Sequence, residues 1–210
     1  MKDIVVVGGG GHARVVISLI RKLAGYRLLG FTDTAPRPDI LSVPYLGDDG
    51  VLESLLREHA TCCAALGLGN TGISDLRVKK ATALVEMGFE LPVLVSPAAL
   101  VNEDVRFGAG TVVCDAAVVV TGARIGMACI LNTGCTVDHD CHVGDGAHLA
   151  PGVVLCGDVQ VGELAMIGAG AVLKQGVRVA ARCLVGAGAT VTDDLPEAGV
   201  YIGTPARQRS

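Results

Sequence analysis

The sequence predicts a small α/β, Rossmann-like domain followed by an all-β parallel β-helix, and three observations carry that prediction. An apolar column recurs every six residues from Val95 to Val191. A strand, a glycine turn and a helix open the chain. Half of the 210 residues are apolar, yet only 3% are aromatic and there is no Trp, so the interiors are filled by Val, Ala, Leu and Ile, which suits narrow β-structure. A chain of this length can bury two cores of roughly 100 residues each. We place the boundaries at 1–92 for the front domain, 93–202 for the β-helix and 203–210 for a tail.

The front domain begins with Asp-Ile-Val-Val-Val at residues 3 to 7, a buried strand, and passes through Gly8-Gly9-Gly10-Gly11-His12-Ala13 into a helix patterned by Val15, Val16, Leu19, Ile20 and Leu23. Glycines let backbone N–H groups approach a phosphate, and the helix N-terminus adds partial positive charge. A second strand, Arg27 to Phe31, ends at Asp33, close to where a dinucleotide fold places its ribose-binding acid. A third, Cys62 to Leu66, runs into the turn Gly67-Leu68-Gly69-Asn70. Three strand ends therefore converge on one crevice, with Gly8, Gly10, Gly11, His12, Asp33, Gly69 and Asn70 as candidate nucleotide-binding residues. About 90 residues cannot hold both halves of a dinucleotide fold, so a mononucleotide is the better fit. The same shortness counts against an NAD-dependent oxidoreductase with a trimerising stalk. His59 is expected on a helix surface.

The repeat follows. Large apolar residues stand at Val95, Val101, Phe107, Val113 and onward at every sixth place, and small ones four positions after each, among them Ala117, Cys129, Cys135, Cys141 and Cys183. A period of six matches neither a helix nor a flat sheet and is the signature of a parallel β-helix, three hexads to a coil. Glycines after the large position, such as Gly108, Gly126 and Gly144, read as sharp bends where glycine tolerates positive φ or where a side chain lacks room. The inward cysteines read as small buried groups. Ligand pairs at metal-binding spacing are absent, so no metal is expected.

The net charge of -4 and pI near 5.7 give no basic footprint for nucleic acid. No apolar run approaches the ~20 residues of a membrane span, and a glycine cluster stands where a signal peptide keeps its apolar stretch. A cytoplasmic location and eight free thiols are therefore expected.

The densest polar stretch is Asn132-Thr-Gly-Cys-Thr-Val-Asp138-His139-Asp140-Cys141-His142, with His148 beyond. His139 falls two positions after Val137, so its side chain leaves the prism. An exposed imidazole beside carboxylates can serve as a base near neutrality.

That stretch, with IVVVGGGGHA, the GLGN turn and the closing YIGTPAR, resembles the bacterial nucleotide-sugar N-acetyltransferases of the PglD and NeuD group, within the hexapeptide-repeat acyltransferases. The resemblance implies a left-handed β-helix, a homotrimer with active sites between subunits, and acetyl transfer from acetyl-CoA to the amine of a nucleotide-linked dideoxy-amino sugar, UDP-linked first and GDP-linked second. It makes His139 the general base and Asp140 its partner. The family often has Glu there, and Asp is shorter, so Asp138 and Asp140 both stand open as the group that reaches the imidazole. Asn132 and His148 would lie near the thioester, with Gly157, Ala169 and Ala187 along the pantetheine channel. His139 and His148 are half a coil apart, so one pocket can use both only across neighbouring subunits. Two alternatives share the scaffold: a sialic acid O-acetyltransferase, and a zinc lyase of the γ-carbonic anhydrase type. The second lacks its distant histidine, since Glu103 and Arg106 stand where it would be.

Overall fold

The computed structural model describes residues 1–59 and 61–209. Two compact units emerge, one formed by Met1–Gly69 with Leu76–Leu94, the other by Asn70–Asp75 with Val95–Ser210.

In the first unit, β1 (Lys2–Val7), β2 (Tyr26–Thr32), β3 (Tyr45–Gly47) and β4 (Cys63–Leu66) form one parallel sheet in the order β3-β2-β1-β4. Ile4 to Val7 in β1 are fully buried, as the near-continuous apolar run of a parallel strand requires. The helix α1 (Gly11–Ile20) buries Ala13, Val16, Ile17, Leu19 and Ile20. Val15, expected on that face, is exposed, and Leu23 lies beyond the helix end. The 100° step of a helix puts Ile17, not Val15, beside Ala13 and Ile20. The edge strand β3 has three residues and no alternation to announce it. Two further helices, α2 (Leu52–Glu58) and α3 (Leu76–Glu86), complete the unit. His59 caps the end of α2, where its Nδ1 lies 2.8 Å from the Asp3 carboxylate.

The second unit is a left-handed parallel β-helix. Seventeen two-residue strands run from β5 (Leu94–Val95) to β21 (Thr190–Val191). Residues pair with partners eighteen positions away, as Ile130 does with Val112 and with His148, so each coil has eighteen residues and three faces. Face one carries Val112, Ile130, His148, Met166 and Leu184 as outward residues; face two carries Leu100, Val118, Thr136, Val154, Val172 and Thr190; face three carries Arg106, Arg124, His142, Gln160 and Arg178. The large column from Val113 to Val191 is at most 4% exposed throughout. Its first members, Val95, Val101 and Phe107, are only partly buried at the open end.

Two details decide between the alternatives the sequence left for the corners and refine the reading of the cysteines. Positive φ recurs every six residues at Asp104, Gly110, Ala116, Gly122, Ala128, Gly134, Asp140 and onward to Gly188, three positions after the large residue. The glycines directly after the large residue, Gly108, Gly126 and Gly144, do not share it; a Cβ on Gly144 would lie 2.6 Å from the Glu163 nitrogen of the next coil. Close approach, not backbone sign, makes them glycine. The cysteines are also more than space-fillers: Cys129, Cys141 and Cys183 donate to the carbonyls of Gly144, Cys156 and Glu197 at 3.2, 3.1 and 3.1 Å. Burial pushes the thiols of Cys135 and Cys141 up to about 12 and about 11, so both stay protonated and Cys141 keeps its role as a donor.

Candidate functional site

In the front unit, the glycine loop sits at the C-terminal ends of the parallel strands, where such sheets bind ligands. Gly8 has φ +102 and no room for a side chain against Leu68; Gly67 is packed on the Gly8 carbonyl; Gly69 lies on the His12 side chain. Gly10 and Gly11 face open space. A cavity of about 270 Å³ lies above them, lined also by Gly9, Arg14 and Arg37. Gly10 caps α1 without a side-chain bond, and no acid stands in the first turn, so the N–H groups and partial charge there are open to an anion.

Asp33 is drawn into this loop. Its Oδ2 accepts from Gly9 N at 3.1 Å and from the Arg37 guanidinium, and its Oδ1 accepts from Thr34 N at 2.7 Å. Burial raises its carboxyl, but the Arg37 and Thr34 bonds outweigh that, and it lies below the ordinary carboxylate range. Arg14 and Arg37 escaped the sequence reading because isolated arginines on exposed segments carry no pattern; their only signal is proximity to the glycine loop and to Asp33. Arg77 escaped it too. Buried in α3, it donates to the carbonyls of Leu66 and Leu68 at 3.0 and 2.6 Å and so fixes the turn that ends β4.

In the β-helix, the corner between Val137 on face two and Val143 on face three presents His139. Its Nδ1 lies 3.0 Å from Asp140 Oδ2, while Asp138 Oδ1 takes the backbone N–H of His139 at 2.7 Å. Asp140 therefore reaches the imidazole despite its short side chain, from a left-handed corner position at φ +59. A carboxylate at Nδ1 calls for a proton there, which leaves the Nε2 lone pair free in the neutral ring. The Asp140 hydrogen bond, more than the field of Asp138 and Asp158, raises the pKa of His139 above its ordinary value.

Glycines bracket the pair. One coil above, a Cβ on Gly157 would lie 2.3 Å from His139 Nε2; one coil below, a Cβ on Gly122 would lie 2.4 Å from Asp140 Oδ1. Gly157 thus touches the open nitrogen of the imidazole. Ala169 and Ala187 stack at a different corner, between faces one and two, in the same column of corners as Asn132. A single chain does not bring Gly157 together with those three.

His148 stands on face one, opposite the His139 corner, as the half-coil spacing predicts. It is 7% exposed, with Nδ1 2.8 Å from the Asn70 carbonyl and Nε2 3.2 Å from Asn132 Nδ2. Asn70, which follows the glycine turn of the front unit in sequence, belongs by its contacts to the β-helix unit. His142 is exposed on face three and its Nδ1 lies 3.1 Å from the Asp140 carbonyl.

Comparison with known proteins extends this picture. The family model of the PglD N-terminal domain matches residues 3–75. The acetyltransferase domain of PglB from Neisseria gonorrhoeae is similar over the full length of both chains, at 33% identity and a TM-score of 0.92. PerB from Caulobacter crescentus, solved in complex with CoA and GDP-perosamine, is 37% identical over 100% of this chain and 98% of that one, with a TM-score of 0.92. WeeI from Acinetobacter baumannii AYE is 25% identical over 100% of both chains, with a TM-score of 0.87. No curated protein sequence matches. A Rossmann-like unit joined to a left-handed β-helix defines an acyltransferase of the hexapeptide-repeat class. Within that class the chain belongs to the PglD-type sugar acetyltransferase family, whose acyl donor is acetyl-CoA.

Proposed function

We propose that the protein transfers the acetyl group of acetyl-CoA to the amine of a nucleotide-linked amino-dideoxy sugar, with His139 as general base. The observation that carries this reading is the state of His139: Nδ1 engaged by Asp140, Nε2 open above a residue with no side chain. The neutral amine attacks the thioester carbonyl, Nε2 takes the proton lost from nitrogen, and the tetrahedral intermediate expels CoA as the thiolate. Asp140 holds the ring orientation and steadies the imidazolium that forms. Asn132 and His148 serve the acyl end, and Gly157, Ala169 and Ala187 the pantetheine arm. Because these residues stand at different corners of one prism, the working unit is a homotrimer in which neighbouring chains complete each site.

The front unit holds the nucleotide. The N–H groups at Gly10 and Gly11 and the side chains of Arg14 and Arg37 suit a diphosphate, with Gly8, His12, Asp33 and Gly69 around it. Both UDP and GDP fit that description, and the likeness to PerB, solved with GDP-perosamine, supports the GDP-linked sugar alongside the UDP-linked one. A thiol-release assay with acetyl-CoA and UDP-, GDP- and dTDP-linked amino sugars, with matched hydroxy-sugar controls, tests the reading. Turnover confined to one amino-sugar nucleotide is expected; turnover confined to hydroxy sugars would overturn it.

A further inference from the structure

We propose that His148 is a positioning residue of the acyl site, held as the neutral Nδ1–H imidazole, whose ring holds the Nδ2 end of the Asn132 carboxamide in place and fastens the 70–75 segment to face one of the β-helix. The inference rests on the acetyl transfer proposed above and adds a division of labour between its two histidines.

Hydrogen-bond chemistry decides the protonation pattern. The Asn70 carbonyl can only accept, so the proton in its 2.8 Å contact sits on His148 Nδ1. Which end of the Asn132 amide faces the ring follows from its Oδ1, which accepts from Thr133 N at 2.8 Å. That turns Nδ2, a pure donor, toward His148 Nε2 at 3.2 Å, and a donor facing a ring nitrogen needs a lone pair on it. One nitrogen is therefore protonated and the other accepts, leaving no lone pair to take a proton from substrate. His139 differs on each count: its ring is about half exposed, its Nδ1 partner is a carboxylate, and its Nε2 is open.

The ring links two segments far apart in sequence. Asn132 stands in the corner column of Ala169 and Ala187. Asn70 heads the 70–75 segment, which Asp75 also ties to the prism through Arg182 at 3.9 Å. Asn70 is 8% exposed, and its Nδ2 finds no hydrogen-bond partner among the described residues. Loss of the ring would leave the Asn132 amide held only at its Oδ1 end, by Thr133 N, and would unfasten the Asn70 backbone. A misplacement of that order costs up to about 10²-fold in rate.

The test combines a spectrum with kinetics. With ¹⁵N-histidine in the full chain, which has five histidines, and His148→Gln used for assignment, the His148 ring is expected to show a protonated Nδ1 and a bare Nε2 at neutral pH. An imidazolium or an Nε2–H ring overturns the proposal. His148→Ala is expected to lower kcat/KM for acetyl-CoA by about 10²-fold and to leave the acid limb of the pH–rate profile in place. His148→Asn keeps a donor near Nδ1 and His148→Gln an acceptor near Nε2, so each recovers part of the loss. A displaced limb, or an alanine variant within twofold of the parent, overturns the proposal. The spectrum does not depend on turnover, so a chain inactive on every acceptor would sink the functional reading and still leave the tautomer to decide this one.

Discussion

Gly157 is the residue through which the proposed base is most exposed to a single change. Its φ is not in the left-handed region, so alanine is conformationally acceptable, and the nearest conflict is with the His139 ring, whose Nε2 and Cε1 the new Cβ would approach to 2.3 and 2.5 Å. The ring must swing away from Asp140. Gly157→Ala is expected to lower kcat by about 10²-fold, in the range attributed to base catalysis, with Tm within a few degrees of the parent; a variant above a third of parental kcat would separate Gly157 from the base. His139→Ala should retain less than about a tenth of kcat on the same grounds. The pH dependence follows from Asp140. Since the folded-state pKa of His139 is raised, the acid limb of kcat/KM lies above the ordinary histidine value. The stabilising share of that interaction is present below that ordinary value and is lost as pH rises through the folded one. Asp140→Asn removes the largest raising cause while tolerating positive φ, so it moves the limb to lower pH and lowers kcat together. A limb that stays in place would assign the shift to Asp138 or Asp158.

The coil is governed by the residue in the left-handed corner. Ala116 occupies it at φ +58 with its side chain exposed. Glycine there escapes an αL penalty of about 1–2 kcal/mol but adds unfolded-state entropy of about 0.4–1 kcal/mol. Ala116→Gly should therefore raise the Tm of the coil transition by roughly 1–3 °C. Ala116→Val, with a branched Cβ in the same conformation, should lower it, and equal effects of the two in thermal unfolding would show that the corner is not strained. This corner was illegible in the sequence because Gly, Ala, Asp, Leu and Arg all occupy it, whereas the inward columns of the same hexads were plain, since only bulky apolar and small residues fill them. The strand–glycine–helix unit at the N-terminus was readable for a similar reason. The edge strand β3 was not, nor was the burial of His148, whose partner Asn70 lies 78 positions away and leaves no local mark. Asp140 over Asp138 depended on backbone sign, which sequence does not display.

At the scale of the whole molecule, face two separates the His139 corner from the corner of Asn132, Ala169 and Ala187, and its outward residues are largely apolar. Leu100 and Val172 are 54% and 38% exposed on it. If neighbouring chains meet there, as the proposed trimer requires, the two half-sites are completed in trans. Val172→Asp should then lower the sedimenting mass to that of one chain and abolish acetyl transfer together. A variant that becomes monomeric with full activity would overturn shared sites. A second measurement is subunit mixing: His139→Ala and Asn132→Ala chains, each inactive alone, should regain a fraction of parental activity when unfolded and refolded together. No recovery despite mixed assemblies would place both halves in one chain. Among the described residues, no helix is long and apolar enough to cross a membrane.

The eighteen-residue register also makes the C-terminal unit a counting device. Losing one residue inside it would turn every later wall residue toward solvent, because inward and outward places are assigned by position alone. Gaining eighteen would leave each residue facing as before and lengthen the rod by one strand spacing, about 4.8 Å. Length change within the walls of such a chain is thus quantised: natural relatives and engineered descendants should differ there by whole coils, and any other difference in length should fall in the corners.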